Sequence, residues 1–204
     1  MSADSRMPAE ERRLQIIQSA GEVFAKYGYE GARIKDIADQ CGINEAILYK
    51  HFSGKEELFR EFLTYHYETI SGRWVDMMNA QPDGLTGLKT ILHSQLDVVG
   101  NDAIGTGAML HGVAQASNDQ NIRAQVLGYF QNHHDRLTGL IKRGIEDGSV
   151  VRKSDEDISR LALLFRSIVW AHLIFVKVGL TDQLIGAKSR DIIDDILDGL
   201  ARKD

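Results

Sequence analysis

The sequence predicts an all-α fold of about nine helices. Apolar residues recur at three- and four-residue intervals along most of its 204 positions, the period of a helix with one buried face. Only two prolines occur, Pro8 and Pro82, and few stretches alternate in the two-residue period of a strand. Short clusters of Gly, Asn, Asp and Ser divide the periodic runs at regular intervals.

The first helix is expected to start at Pro8, since proline suits the first helical position and Glu10 and Glu11 suit the positive end of the helix dipole. Leu14, Ile17, Phe24 and Tyr27 form its apolar stripe, with Ala20 and Gly21 between them, and Gly28 is its left-handed cap. "RIKDIADQCG" reads as a two-turn helix with Ile34, Ile37, Ala38 and Cys41 inward and Gly42 at its end. A third helix runs from the N-cap Asn44 to about Phe52, with Leu48 and Phe52 one turn apart. A fourth opens at Ser53-x-x-Glu56, a capping box, or at Gly54-x-x-Glu57, and continues past Trp74 toward Asn79. Beyond the breaker "AQPDGLTG" five more helices are expected, at about 85–99, 103–116, 119–147, 155–179 and 189–202. Their connections include "EDGSVVRKSD" and "GLTDQLIGAKS". A headpiece, 1–56, and a body, 57–204, are expected.

Hydrophobic residues are 43% and charged residues 26%, as in ordinary globular chains. The single Cys41 excludes an intrachain disulfide and fits a reducing cytoplasm, the expected location. "MSADSRMPAEERR" lacks the apolar core of a signal peptide. "LALLFRSIVWAHLIFVKVGL" is long and apolar, but Arg166, His172 and Lys177 argue for a helix buried on nearly all sides in protein rather than in a membrane. Net charge is −5, and residues 1–60 hold 9 Lys and Arg against 10 Asp and Glu. Overall charge therefore does not announce a nucleic-acid partner, and local geometry has to decide.

Helices two and three are joined by little more than Gly42-Ile43, the arrangement in which a second helix enters the DNA major groove. At about 100° per residue from Leu48, Phe52 marks the buried side, while Ala46 (about 160°) and Lys50 (about 200°) lie opposite. Tyr49 and Ile47 flank them. On a solvated helix those two side chains waste apolar area; against DNA, Ile47 meets thymine methyls, Ala46 permits close approach, and Lys50 reaches phosphate or guanine. The Tyr49 hydroxyl suits a phosphate oxygen. Lys55, unfavourable to the dipole at a helix start, makes sense if that terminus faces a phosphate. Glu45 favours the dipole and opposes phosphate.

At these residues the chain resembles the TetR family of bacterial transcriptional regulators. The matching pattern is Ala20, Phe24, Gly28 and Tyr29; then Ile37, Ala38, Gly42 and Ile43; then Leu48, Tyr49, His51, Phe52, Lys55 and Leu58. The resemblance covers roughly the first 60 residues. It implies a homodimeric repressor of nine helices that binds an inverted-repeat, double-stranded operator and a small-molecule effector. It places DNA contacts on Arg33, Lys35, Asn44, Ala46, Ile47, Tyr49, Lys50, His51 and Lys55. Two positions depart from the family: Arg33 stands where Thr or Ser usually caps helix two, and Ile47 where Thr or Ser often faces the groove.

In the body, the expected effector contacts are Tyr67, Trp74, Leu92, Gln95, Met109, His133 and Trp170, the polar and bulky positions of long apolar helices, and the effector is expected to be mostly apolar or aromatic. By resemblance the last two helices form the dimer interface, with Leu161, Phe165, Ile168, Ile192 and Ile196 as its candidates. His133-His134 invites a metal reading, with His111 or His93 as further ligands, but adjacent helical histidines diverge by about 100° and chelate poorly. No metal, cofactor, membrane partner or enzymatic activity is expected. The alternatives are a helical ligand-binding or interaction protein without an operator and a metalloenzyme using His111 and His133.

Overall fold

The computed structural model describes residues 7–180 and 188–202. Its helices are α1 (Ala9–Gly31), α2 (Ile34–Cys41), α3 (Glu45–Leu48), α4 (Lys55–Asn79), α5 (Gly84–Asn101), α6 (Ala103–Gln115), α7 (Gln120–Asp147), α8 (Asp155–Lys177) and α9 (Lys188–Leu200). Among the described residues the one strand-like feature is an isolated bridge between Val150 and Ala201. The expected connection at 179–189 falls largely outside the described residues, as does the segment before Met7.

Cα packing divides the chain into two units, one of residues 1–69 with 103–126 and one of 70–102 with 127–204. α6 and the first half of α4 belong to the same unit as the headpiece helices.

In the first unit, Ile16, Ile17, Ala20, Val23 and Phe24 of α1 are buried. The Phe24 ring meets Phe59 of α4 edge-on, with centroids 4.8 Å apart, and the Phe62 ring fills the space beside Gly21. Two of the expected inward residues lie outside: Leu14 at the margin of the stripe, and Tyr27, with Lys26 Nζ 4.9 Å from its ring centroid. Gly28 has φ +71, left-handed as expected, but as a kink within α1 rather than its end, because the chain resumes helical bonding to Gly31.

The second unit has one core. Leu88, Leu92 and Leu96 of α5 pack with Leu137 and Ile141 of α7, Ile158 and Phe165 of α8, and Ile193 and Leu197 of α9. Each such side chain contributes about 1.5–3 kcal/mol by leaving water. α8 buries one face in this core. Its buried residues Ile158, Ala162, Phe165, Val169 and Leu173 follow one face, while Leu163, Leu164 and Ile174 on the opposite face are 44–50% exposed. The helix is long and apolar enough to cross a membrane by length and composition, and in this structure one side of it belongs to the core.

Candidate functional site

The turn between α2 and α3 is built from backbone bonds that its sequence permits. Gly42 adopts φ +69 and ψ +31, a left-handed conformation that side chains with a Cβ resist. From there its N–H donates to Asp39 O, and the Ile43 N–H to Ala38 O at 3.0 Å, satisfying carbonyls at the end of α2. Two residues on, Asn44 Oδ1 accepts from the Ile47 N–H at 2.9 Å, the expected N-cap. Arg33 precedes α2 without a side-chain cap bond, as the missing hydroxyl implies.

α3 is shorter than expected, because after Leu48 the bonding tightens. Lys50 N–H donates to Ile47 O and His51 N–H to Leu48 O, each three residues back, so an ideal 100° wheel no longer holds there. The tight turn is secured from beneath. Leu48 and Phe52 are buried, the Arg13 guanidinium lies 4.3 Å from the Phe52 ring centroid, and Arg13 donates to His51 O at 2.8 Å while pairing with Glu61 at 3.0 Å. Arg13 was not among the expected site residues. Its signal, an Arg on the otherwise apolar side of α1, becomes meaningful only once His51 is beside it.

Of the four residues expected to face outward, Ala46, Tyr49 and Lys50 do so and Ile47 is half-buried. Arg33, Lys35, Asn44, Ala46, Tyr49 and Lys50 are exposed, and Ile47, His51 and Lys55 half-buried. Among the described residues, Arg33, Lys35 and Lys50 form no ion pair. Lys55 is held differently: its Nζ donates to Glu30 O at 3.3 Å and lies 4.6 Å from the Tyr29 ring centroid. The start of α4 takes the second of the two expected openings, Gly54-x-x-Glu57, and not the capping box at Glu56. Glu57 instead reaches back, accepting from Ser53 N–H at 2.7 Å and Ser53 Oγ at 2.6 Å, because the helix begins at Lys55 and Glu57 is its third residue. Those bonds hold the Glu57 carboxyl below the usual range.

Of the expected effector contacts, Trp74, Gln95 and His133 meet in the second unit. Gln95 Nε2 and His133 Nε2 are 2.5 Å apart, and the Trp74 ring stands edge-on to His133 at 5.9 Å. Trp170 joins through Phe130, with centroids 5.1 Å apart. Leu92 is an ordinary member of the core. Tyr67 and Met109 lie in the first unit. The His133 pKa is pushed down to about 4, first by burial and then by Arg166, Arg136 and His134, so the imidazole is neutral at pH 7. Among the described residues no group of three His, Cys, Asp or Glu side chains could hold a metal ion; His133 meets Gln95, His134 meets Ser159 Oγ at 3.2 Å, and His93 meets Asp194 at 2.8 Å.

Comparison with known proteins matches this segment to a family model. Residues 16–62 match the family described as bacterial regulatory proteins, tetR family, the span that holds the turn and the outward face. Residues 16–62 therefore carry a TetR-family N-terminal domain. The chain is 24% identical over 200 residues to the HTH-type transcriptional repressor KstR2 of Rhodococcus jostii, covering 98% of this chain and 96% of that protein. It is 32% identical to the HTH-type transcriptional activator FasR of Mycolicibacterium smegmatis over 101 residues, 50% of this chain and 46% of that protein. A transcriptional regulator from Saccharomonospora viridis in complex with choline shares the fold, with a TM-score of 0.85 and 22% identity over 95% of this chain and all of the other.

Four of the five residues expected at a dimer interface pack within or against their own unit's core. Phe165 is fully buried in its own unit's core, and Leu161, Ile168 and Ile196 pack against that core. Of the five, Ile192 alone is exposed, at 48%. The outward stripe of α8 is Leu163, Leu164 and Ile174, at positions whose spacing of one, ten and eleven residues returns them to one side of a helix. Sequence periodicity could not choose between the two apolar faces of α8.

Proposed function

We propose that this chain is a homodimeric, ligand-responsive repressor that binds an inverted-repeat DNA operator and releases it when a small, mostly apolar or aromatic effector binds its body. The observation that carries the DNA reading is the outward face of α3 and its tight turn. Ala46, Tyr49 and Lys50 stand free while Leu48, Phe52 and Arg13 anchor the segment. In this reading Lys50 and Ile47 meet base edges, and Tyr49, His51, Arg33, Lys35 and Lys55 meet phosphates. Asn44 sets the helix start, and Arg33 replaces a capping hydroxyl with a cation directed at the backbone of DNA.

The apolar stripe of Leu163, Leu164 and Ile174, with Ile192 of α9, supports a two-fold partner. Two-fold symmetry sets an inverted-repeat site. Relatives of this chain are named as a repressor and as an activator, and repression is favoured here by the relative that matches nearly the whole length. Effector acts by binding better to the dimer whose headpieces are wrongly spaced for adjacent major grooves, which lowers operator affinity by that difference.

The test is a fluorescence-anisotropy titration with duplexes from upstream of the protein's own gene, at several salt concentrations. Selective binding that weakens steeply with salt is expected. Binding without sequence preference, or none at all, would end the repressor reading and favour a helical ligand-binding protein without an operator.

A further inference from the structure

The second unit buries two polar side chains that its core does not satisfy. Gln95 is 3% exposed and His133 6%, and they bond to each other. Gln95 Oε1 and His133 Nδ1 have no hydrogen-bond partner among the described residues. An apolar pair would pack there at no such cost, since an unpaired buried polar atom is destabilising where the pair's own bond is only modestly favourable. Because the Gln95 amide N–H donates to His133 Nε2, the neutral imidazole carries its proton on Nδ1. A hydrogen-bond donor is thus left over in a closed, largely aromatic setting, with the Tyr129 ring stacked 6.3 Å from the imidazole and Trp74 on its edge.

Two cations lie near enough to help lower the His133 pKa. Arg136, one turn from His133 on α7, donates to Ser71 O at 3.2 Å and to Ser71 Oγ. Arg166 of α8 donates to Phe130 O at 3.1 Å, with its guanidinium 5.5 Å from the Phe130 ring centroid. Both are half-buried, both are held by uncharged oxygens, and neither forms an ion pair with a carboxylate among the described residues. Half-buried guanidiniums ordinarily meet carboxylates, which they bind in pairs of parallel bonds.

The geometry points to the Gln95–His133 pair, with Arg136 and Arg166 near it, as the seat of an organic carboxylate whose body is apolar and ring-sized. The His133 Nδ1–H donates to one carboxylate oxygen, the guanidiniums supply the opposing charge, and Trp74, Tyr129 and Trp170 receive the body. Gln95 Oε1 is the one atom a carboxylate does not serve, and a hydroxyl on the same molecule suits it. Both unpaired atoms are sealed from solvent in this state. The acid therefore binds a state in which the rings around His133 have parted, and its preference for that state is what shifts the population. A positively charged ligand is disfavoured by the same two guanidiniums. This inference rests on the reading of the chain as a ligand-responsive regulator and names the class of its ligand.

Isothermal titration of the full chain with matched probes tests it: 2-naphthoate against 2-naphthol, and octanoate against 1-octanol. At least one acid is expected to bind at least about tenfold more tightly than the alcohol of the same body, since a charge-assisted bond is roughly twice as strong as a neutral one. Arg166→Gln should abolish that preference and Arg166→Lys should keep most of it, with circular-dichroism melting confirming that each variant is folded. If Arg166→Gln does not fold, His133→Phe, which leaves an aromatic ring in place, reads the same loss. Acids that bind no better than their alcohols, or not at all, overturn the inference, as does a preference that survives both Arg166→Gln and His133→Phe. Operator binding by the unliganded protein is measured in parallel. Its failure alongside an intact acid preference refutes the repressor reading and spares the site; operator binding without any acid preference does the reverse.

Discussion

The face of α3 and the centre around His133 are opposite solutions to holding functional side chains. On α3 the polar and basic residues are exposed, and buried Leu48 and Phe52 hold them up from below. Around His133 the polar residues are inside, and α8 leaves Leu163, Leu164 and Ile174 outside. The first arrangement comes mostly from a dozen consecutive residues, with Arg13 of α1 beneath them. The second needs side chains from α4, α5, α7 and α8, from Ser71 to Arg166. The difference teaches that an exposed polar face is a local device on a packed base, whereas a buried polar centre is a property of the assembled helices and is sensitive to charge.

The largest effect should come from removing the base of the first region. Phe52→Ala takes away a fully packed ring and the surface under Arg13, at a cost of about 3–5 kcal/mol. Denaturant unfolding should show that loss, and operator binding should fall with it. If stability drops while operator affinity is unchanged, the outward face does not depend on its base.

The second region should show itself in acid. The folded His133 pKa is about 4 against an ordinary 6.5. Between those values the unfolded chain takes up a proton that the native chain excludes, so stability rises with pH across that window and is lost as pH falls through it. The loss from pH 6.5 to 4 should be about 3 kcal/mol, and His133→Phe should flatten that part of the profile. Arg166 and Arg136 also disfavour the proton, so Arg166→Gln should narrow the window from its lower end. An unchanged profile in His133→Phe would remove the contrast between the two regions.

Smaller changes separate roles within the first region. Asn44→Ala deletes the cap to the Ile47 N–H and should cost about 1 kcal/mol of stability, visible as a lower melting temperature of the unliganded protein. Lys55→Ala should weaken binding to all DNA sequences alike and lower the salt slope by about 1. Ile47→Thr should leave the salt slope unchanged and alter which bases are preferred, by about 1 kcal/mol or less at the affected base pair. If both variants behave alike in a salt-dependent titration, the division between backbone and base contacts along this segment is wrong.

The amino-acid sequence by itself determined the helices and their order, because cap residues and apolar period act over a few positions. The Gly42 turn, the Asn44 cap and the exposure of Ala46, Tyr49 and Lys50 were legible for the same reason. Some local details were not. Glu57 rather than Glu56 serves Ser53, α3 tightens after Leu48, and Gly28 kinks α1 rather than ending it, since competing backbone bonds of similar strength decide such ends. Only the tertiary structure decided which apolar face of α8 is buried, that Arg13 supports His51, and that Gln95 finds His133 with two guanidiniums close by. Those choices join residues up to a hundred positions apart, and no periodicity within one helix carries information about its neighbours.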